Sequence, residues 1–309
     1  MRKDIASAAV LTLLAAPDAA AYCPTFTCEF DDRHPCEIDP ESGCAQGGAI
    51  TRWAGECITF AVQADGSPAQ SISAETLRQV VEEGFATWSS VECEGRGPGV
   101  MTPEFAAAYR GTTRCDAVEY NCSAEYNDNV VMFRDGESSL EANTIALSSI
   151  IANLVTGELV DVDIELNSRD YDFSIDPDAI RAGARDLRVV VNHELGHLLG
   201  LSHSFDDNAL MNFDYAGTNP VPTRDDARGI CNTYPVSDAE FECSAPPIVG
   251  GGSCMGSLFG CRAIVQPTPA PECAYRAPDA PSRAGRSGTL GGLLALLGLG
   301  VWRRQRGRA

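Results

Sequence analysis

Apolar positions along this chain switch between two periods, and the switches mark out elements. Cys57-Ile-Thr-Phe-Ala-Val62 alternates apolar with small or polar residues, the period-2 signature of a half-buried strand. Leu77, Val80, Val81, Phe85, Trp88 and Val91 then recur at spacings that line one face of a helix. Ser73 stands where an N-cap belongs, with Glu75 in the first turn, so the helix starts there and its stripe faces a core. Asn129-Val-Val-Met-Phe133 reads as a second strand, and Thr144-Ile-Ala-Leu147 leads toward a hairpin turned at Thr156-Gly157. On the return, Val160, Val162, Ile164 and Leu166 alternate with Asp161, Asp163, Glu165 and Asn167, which predicts a strand with one packed and one wet face.

Further along, helical periodicity carries chemistry. Asn192-His-Glu-Leu-Gly-His-Leu-Leu-Gly-Leu-Ser-His203 holds three of the chain's four histidines in the spacing H-E-x-x-H-x-x-G-x-x-H. Residues four apart lie one above the other on a helix, so His193 and His197 can present imidazoles to one metal ion, with Glu194 beside them. A third ligand on the next turn would sit too far away. Gly200 is suited to end the helix in a left-handed conformation that a β-carbon resists, and the chain then returns His203. Three neutral imidazoles leave a fourth position for water, whose pKa zinc lowers from about 15.7 to near 7. Glu194 is the natural base for that water.

This run resembles the zinc motif of the metzincin endopeptidases. Ala209-Leu-Met211-Asn-Phe213 resembles their methionine-containing turn, which implies Met211 as the apolar floor beneath the metal. Ser204 after the third histidine and Pro222-Thr-Arg-Asp-Asp226-Ala-Arg-Gly229-Ile-Cys-Asn-Thr-Tyr234 are similar to the matrixin branch and its closing helix. The likeness covers roughly residues 57 to 236. It implies an α+β fold: a twisted mixed β-sheet, an active-site helix and a long N-terminal helix, flanked here by small disulfide-rich segments. It also implies an edge strand above the cleft that pairs with extended substrate, a role assigned to the hairpin strand of residues 160 to 166. Two family features are not carried over. No Pro-Arg-Cys-Gly-type cysteine switch stands upstream, and a second, structural zinc lacks histidines, since only His34 remains. One zinc is expected. The carboxylates of Asp161, Asp163 and Glu165 are a calcium candidate, with a solvated strand face as the simpler account of them.

Composition sets the compartment and the ends. Met1-Arg2-Lys3, an apolar stretch from Ile5 to Ala16 and Ala19-Ala-Ala21 have the zones of a secretory signal peptide cleaved after Ala21. Thirteen cysteines in an exported chain imply disulfides. They crowd residues 22–56, recur sparsely in the proposed catalytic domain of residues 57–236, and return in an extension over residues 237–265. Cys273 falls in a Pro-rich linker over residues 266–286. Residues 287–309 follow, an apolar run too short for a comfortable membrane helix and then four arginines. Cysteine, apolar run and arginines together resemble the C-terminal sorting tails of myxobacterial surface proteins, implying membrane association through the tail. The formal net charge is −20. Residues 1–21 sum to zero and the terminal arginines carry +4, so residues 22–302 hold −24, which excludes nucleic acid as a partner.

The sequence therefore predicts an exported, single-zinc metalloendopeptidase acting on protein or peptide substrates. A surface adhesin or binding protein that keeps the zinc fold without turnover is the alternative, and intact Glu194 argues against it. An exopeptidase completed by a distant Glu is disfavoured by His203.

Overall fold

A computed structural model describes residues 22–30, 35–97, 99–114, 118, 128–136, 140–213, 219–239, 241, 243–244 and 273–274. The signal segment, His34 and the tail over residues 287–309 lie outside the described residues. The architecture is α+β, as expected. Strands β1 (Cys57–Gln63), β2 (Ala106–Thr113), β3 (Asn129–Phe133), β4 (Ala146–Asn153) and β5 (Leu159–Leu166) form one mixed sheet in the order β4-β5-β3-β1-β2. All its neighbours pair parallel except β4, which runs antiparallel to β5. Among the described residues three helices of ten residues or more accompany it: α1 (Ala74–Ser89), α2 (Leu187–Leu198) and α3 (Arg224–Thr233). A two-residue strand, β6 (Cys273–Ala274), lies antiparallel along the far end of β4, although both residues were expected in an extended linker.

Helix α1 begins where the sequence places it, with Ser73 Oγ accepting from Thr76 N at 3.0 Å. Such a cap contributes about 1 kcal/mol, whereas burying each Leu, Val or Phe side chain contributes roughly 1.5–3 kcal/mol. Burial of Leu77, Val80, Val81, Phe85 and Trp88 therefore decides that the helix forms. The helix stops at Ser89, so Val91, expected on the same stripe, packs against the core from beyond its end. Phe85 meets Phe60 of β1 with ring centroids 5.4 Å apart, which seats α1 on the sheet. Its other contact is α2. A Cβ on Gly84 would lie 2.2 Å from Asn192 Oδ1 and 2.5 Å from Leu195 Cδ1, so only glycine permits this crossing. The Trp88 indole donates to the Asn192 carbonyl at 2.9 Å and ties the two helices together beside the histidines.

Two expectations for the hairpin are overturned. The polar face of β5 is not wet: Asp161, Asp163, Glu165 and Asn167 are all buried. Both faces of β5 are covered, and Asp163, Glu165 and Asn167 act as internal hydrogen-bonding groups. Asp163 Oδ1 accepts from Val130 N at 2.9 Å, and Glu165 Oε1 accepts from Arg134 Nε at 2.6 Å. Nor is β5 an edge strand, for it lies between β4 and β3. Its partner β4 lies next to α2 and is the outer strand except at Ala152 and Asn153, where β6 pairs with it.

Among the described residues four disulfides close the chain: Cys23–Cys44, Cys28–Cys36, Cys57–Cys243 and Cys93–Cys231. Among the described residues no helix is long and apolar enough to cross a membrane.

Candidate metal centre

Helix α2 opens on Leu-Arg-Val-Val-Val, a β-branched run with poor intrinsic helix propensity. Two local and tertiary effects offset it. Asp186 caps the first turn by accepting from Arg188 N at 3.0 Å, and Leu187, Val189, Val190, Val191 and Leu195 are all buried. The helix thus runs through the core, carrying His193, Glu194 and His197. It ends on a Schellman motif: Leu201 N donates to Gly196 O and Gly200 N to His197 O, both at 2.9 Å. Gly200 has φ +90°, and a Cβ there would meet the Thr51 carbonyl oxygen at 2.2 Å. Left-handed backbone and close approach both require glycine at this turn.

After the turn the chain brings His203 back to the helix. The ring nitrogens of His193, His197 and His203 lie within 4.8 Å of one another, the one cluster of metal-ligating type among the described residues. Two carbonyls orient the rings. His193 Nδ1 meets Leu210 O at 2.7 Å and His197 Nδ1 meets Leu201 O at 2.8 Å. A carbonyl only accepts, so each Nδ1 carries the proton and each Nε2 keeps its lone pair. His197 Nε2 then lies 3.2 Å from His203 Nε2. Converging nitrogen acceptors of this kind, two of them with the far side of the ring anchored, fit a borderline-soft cation such as zinc.

Electrostatics keep the donors in the ligating form. Burial, with His197 nearby, pushes His193 down to about 3 against its bond to Leu210. Burial likewise lowers His197 to about 4, and it lowers His203 further still, aided by the other two rings. All three imidazoles are neutral at physiological pH, as metal ligation needs. Glu194 moves the other way. Burial raises its carboxyl to about 7, opposed by a hydrogen bond from Ser148. A group that titrates near 7 can both take and give a proton.

Met211 lies directly under α2. A Cβ on Gly196 would come within 2.2 Å of the Met211 sulfur, so this glycine inside the motif makes room for the methionine. Asp226 holds the turn that bears it, accepting from Leu210 N at 2.8 Å and Met211 N at 3.0 Å while also closing the capping box with Thr223 at the start of α3. Its neighbour Asp225 accepts from Ser204 Oγ at 2.7 Å. The closing helix is therefore what fixes both the floor and the residue after His203.

Three contributors were invisible in the sequence. Asp225 and Asp226 look like ordinary acidic residues at a helix N-terminus, where the dipole alone accounts for them. Ser148 on β4 carries no signal at all, yet its hydroxyl lies 2.7 Å from Glu194 Oε2 and 3.3 Å from the Glu194 carbonyl. The shorter contact places its proton on the carboxylate, so the outer strand of the sheet orients that side chain.

The family model described as Matrixin (Peptidase_M10) matches residues 52–235, which contain every one of these groups. No curated protein matches the chain.

Proposed function

The chain belongs to the matrixin family of zinc-dependent metalloproteases, and from that premise we propose that it is an exported endopeptidase with a single catalytic zinc. The observation that carries this reading is the convergence of three neutral imidazoles beside a buried carboxyl that titrates near 7. His193, His197 and His203 would hold the ion. Zinc bound there supplies a Lewis acid for the peptide carbonyl and a lowered pKa for water. Glu194 takes the proton of the attacking water and passes it to the departing amine, steadied by Ser148. Met211 backs the site and Gly200 turns the chain toward His203. Substrate would lie as an added strand along β4, the strand beside α2, gaining main-chain hydrogen bonds whatever its sequence.

Of the carboxylates named as a calcium candidate, Glu165 is engaged by Arg134 and Asp163 by the Val130 amide. Export is supported by the four disulfides, which persist in oxidising compartments. The signal peptide over residues 1–21 and the sorting tail over residues 287–309 belong to the same proposal, as do the intervening boundaries.

Metal analysis of the purified chain, joined to mapping of cleavage sites in a mixed proteome, tests the reading. Zinc near one equivalent and internal cleavages are expected. Glu194→Ala should keep the metal and lose on the order of 10²–10⁴-fold in turnover, the usual share of general acid–base catalysis. Zinc without cleavage by the wild-type chain would turn the reading to a binding protein.

A further inference from the structure

Residues 22–44 precede the stretch matched by the family model, and they grip the turn that delivers His203 from both sides. On one side they form an antiparallel rung. Thr25 N donates to Gly200 O at 3.0 Å, Ser202 N donates to Cys23 O at 2.8 Å, and Pro24 bridges Leu201. On the other side Gly43 packs under the ring of Phe205, so close that a Cβ on Gly43 would lie 3.1 Å from it. The two arms are joined where they touch, because Cys23 and Cys44 form a disulfide. His203 stands between the gripped residues Ser202 and Phe205.

The grip reaches the second ligand as well. Leu201 is the residue bracketed by the rung, and its carbonyl is the acceptor that holds His197 Nδ1 at 2.8 Å. Displacing residues 200–202 would move the third ligand and release the ring orientation of the second in one motion. By contrast, His193 is oriented by Leu210, on the turn held by Asp226.

We infer that the Cys23–Cys44 disulfide and the rung it secures are a positioning clamp for two of the three zinc ligands, so that metal affinity depends on this one cross-link. The inference rests on the proposed zinc site. It separates the two disulfides of the N-terminal segment: Cys28–Cys36, with a sequence separation of 8, closes a smaller loop nested within the first and touches none of residues 200–205 in the hydrogen bonds described. Loss of that second disulfide leaves the clamp in place.

The test is zinc affinity of the purified full chain, by competition with a chromophoric chelator, together with the visible absorption of the cobalt(II)-substituted protein, which reports ligand number and geometry. Cys23→Ser/Cys44→Ser should bind zinc about 30-fold more weakly and show a changed cobalt spectrum, in the range seen when outer-shell partners of metal ligands are removed. Cys28→Ser/Cys36→Ser should match wild type in both. Thr25→Pro, which deletes the amide that donates to Gly200 and keeps every cysteine, should weaken affinity about tenfold. Should the Cys23/Cys44 variant fail to fold, the Thr25 variant decides. Wild-type affinity and spectrum in Thr25→Pro, or equal losses in both cysteine-pair variants, would overturn the clamp. A wild-type chain with no zinc affinity would instead sink the functional reading beneath it.

Discussion

The metal centre is built from two unlike regions. The helical half, His193 to His197, is positioned by periodicity and by a core: Trp88 and Met211 pack against α2, and its local spacing alone sets two candidate ligands on one face. The looped half, Gly200 to Ser204, has no such internal order. It is placed by backbone hydrogen bonds to Cys23, Thr25 and Met211 and by the Asp225 carboxylate, all distant in sequence. A short motif thus names the candidate ligands, but long-range contacts specify where one of them goes. The helical half should resist perturbation that dismantles the looped half.

The sharpest way to break this contrast is to remove a ligand from each half. His203→Ala should abolish most zinc binding and activity while the metal-free fold keeps its stability, because the loop is held by backbone groups that the substitution leaves alone. His193→Ala should lose zinc and also destabilise the fold by about 2 kcal/mol or more, since it empties a buried site and orphans the Leu210 carbonyl. Calorimetry of the chelated variants checks this; equal stabilities would erase the distinction. Next in size is Gly196→Ala, which forces a methyl group against the Met211 sulfur. Overpacking of this kind costs about 1–3 kcal/mol, so a lowered melting temperature is expected with zinc and without it. An unchanged melting temperature would mean that Met211 is not fixed beneath the helix.

A further effect is one of pH. His193 and His197 have folded pKa values depressed to about 3 and about 4 from 6.5, and His203 is depressed as well. Their contribution to stability is complete above pH 6.5 and drains as pH falls toward those values, because the unfolded chain takes up protons that the fold refuses. Glu194, raised from 4.5 to about 7, acts in the opposite sense, favouring the fold below 4.5 and losing that contribution as pH rises through 7. Three imidazoles outweigh one carboxyl. The metal-free protein should lose stability on acidification below about pH 6.5, and His203→Asn should show a shallower dependence in denaturant titrations across that range.

The legible parts of this molecule are those where local pattern and tertiary role coincide. The strand at Cys57, the helix capped by Ser73 and the turn at Gly200 each carry a period or a conformational demand that a single stretch displays. Strand β2 escaped because Ala-Ala-Ala-Tyr-Arg-Gly-Thr-Thr lacks alternation and is rich in poor strand formers. The acidic face of β5 misled for a different reason: alternation of apolar and charged residues reads as packed against wet, yet charges can be buried when an arginine and a backbone amide await them. Ser148, Asp225 and Asp226 could not be read at all, since their roles exist only through partners on other elements. The cysteine pairings belong to the same class, for spacing does not reveal which thiols meet.

One of those pairings matters for the lifetime of a protease in its own company. Cys57 lies at the start of the first strand and Cys243 beyond the last helix, so 186 residues of sequence, including the whole metal centre, run inside one covalent loop. A single autolytic nick in any exposed connection between them leaves both fragments tethered, and the nicked molecule still travels and refolds as one body. Damage of this kind stays hidden until a reductant separates the pieces.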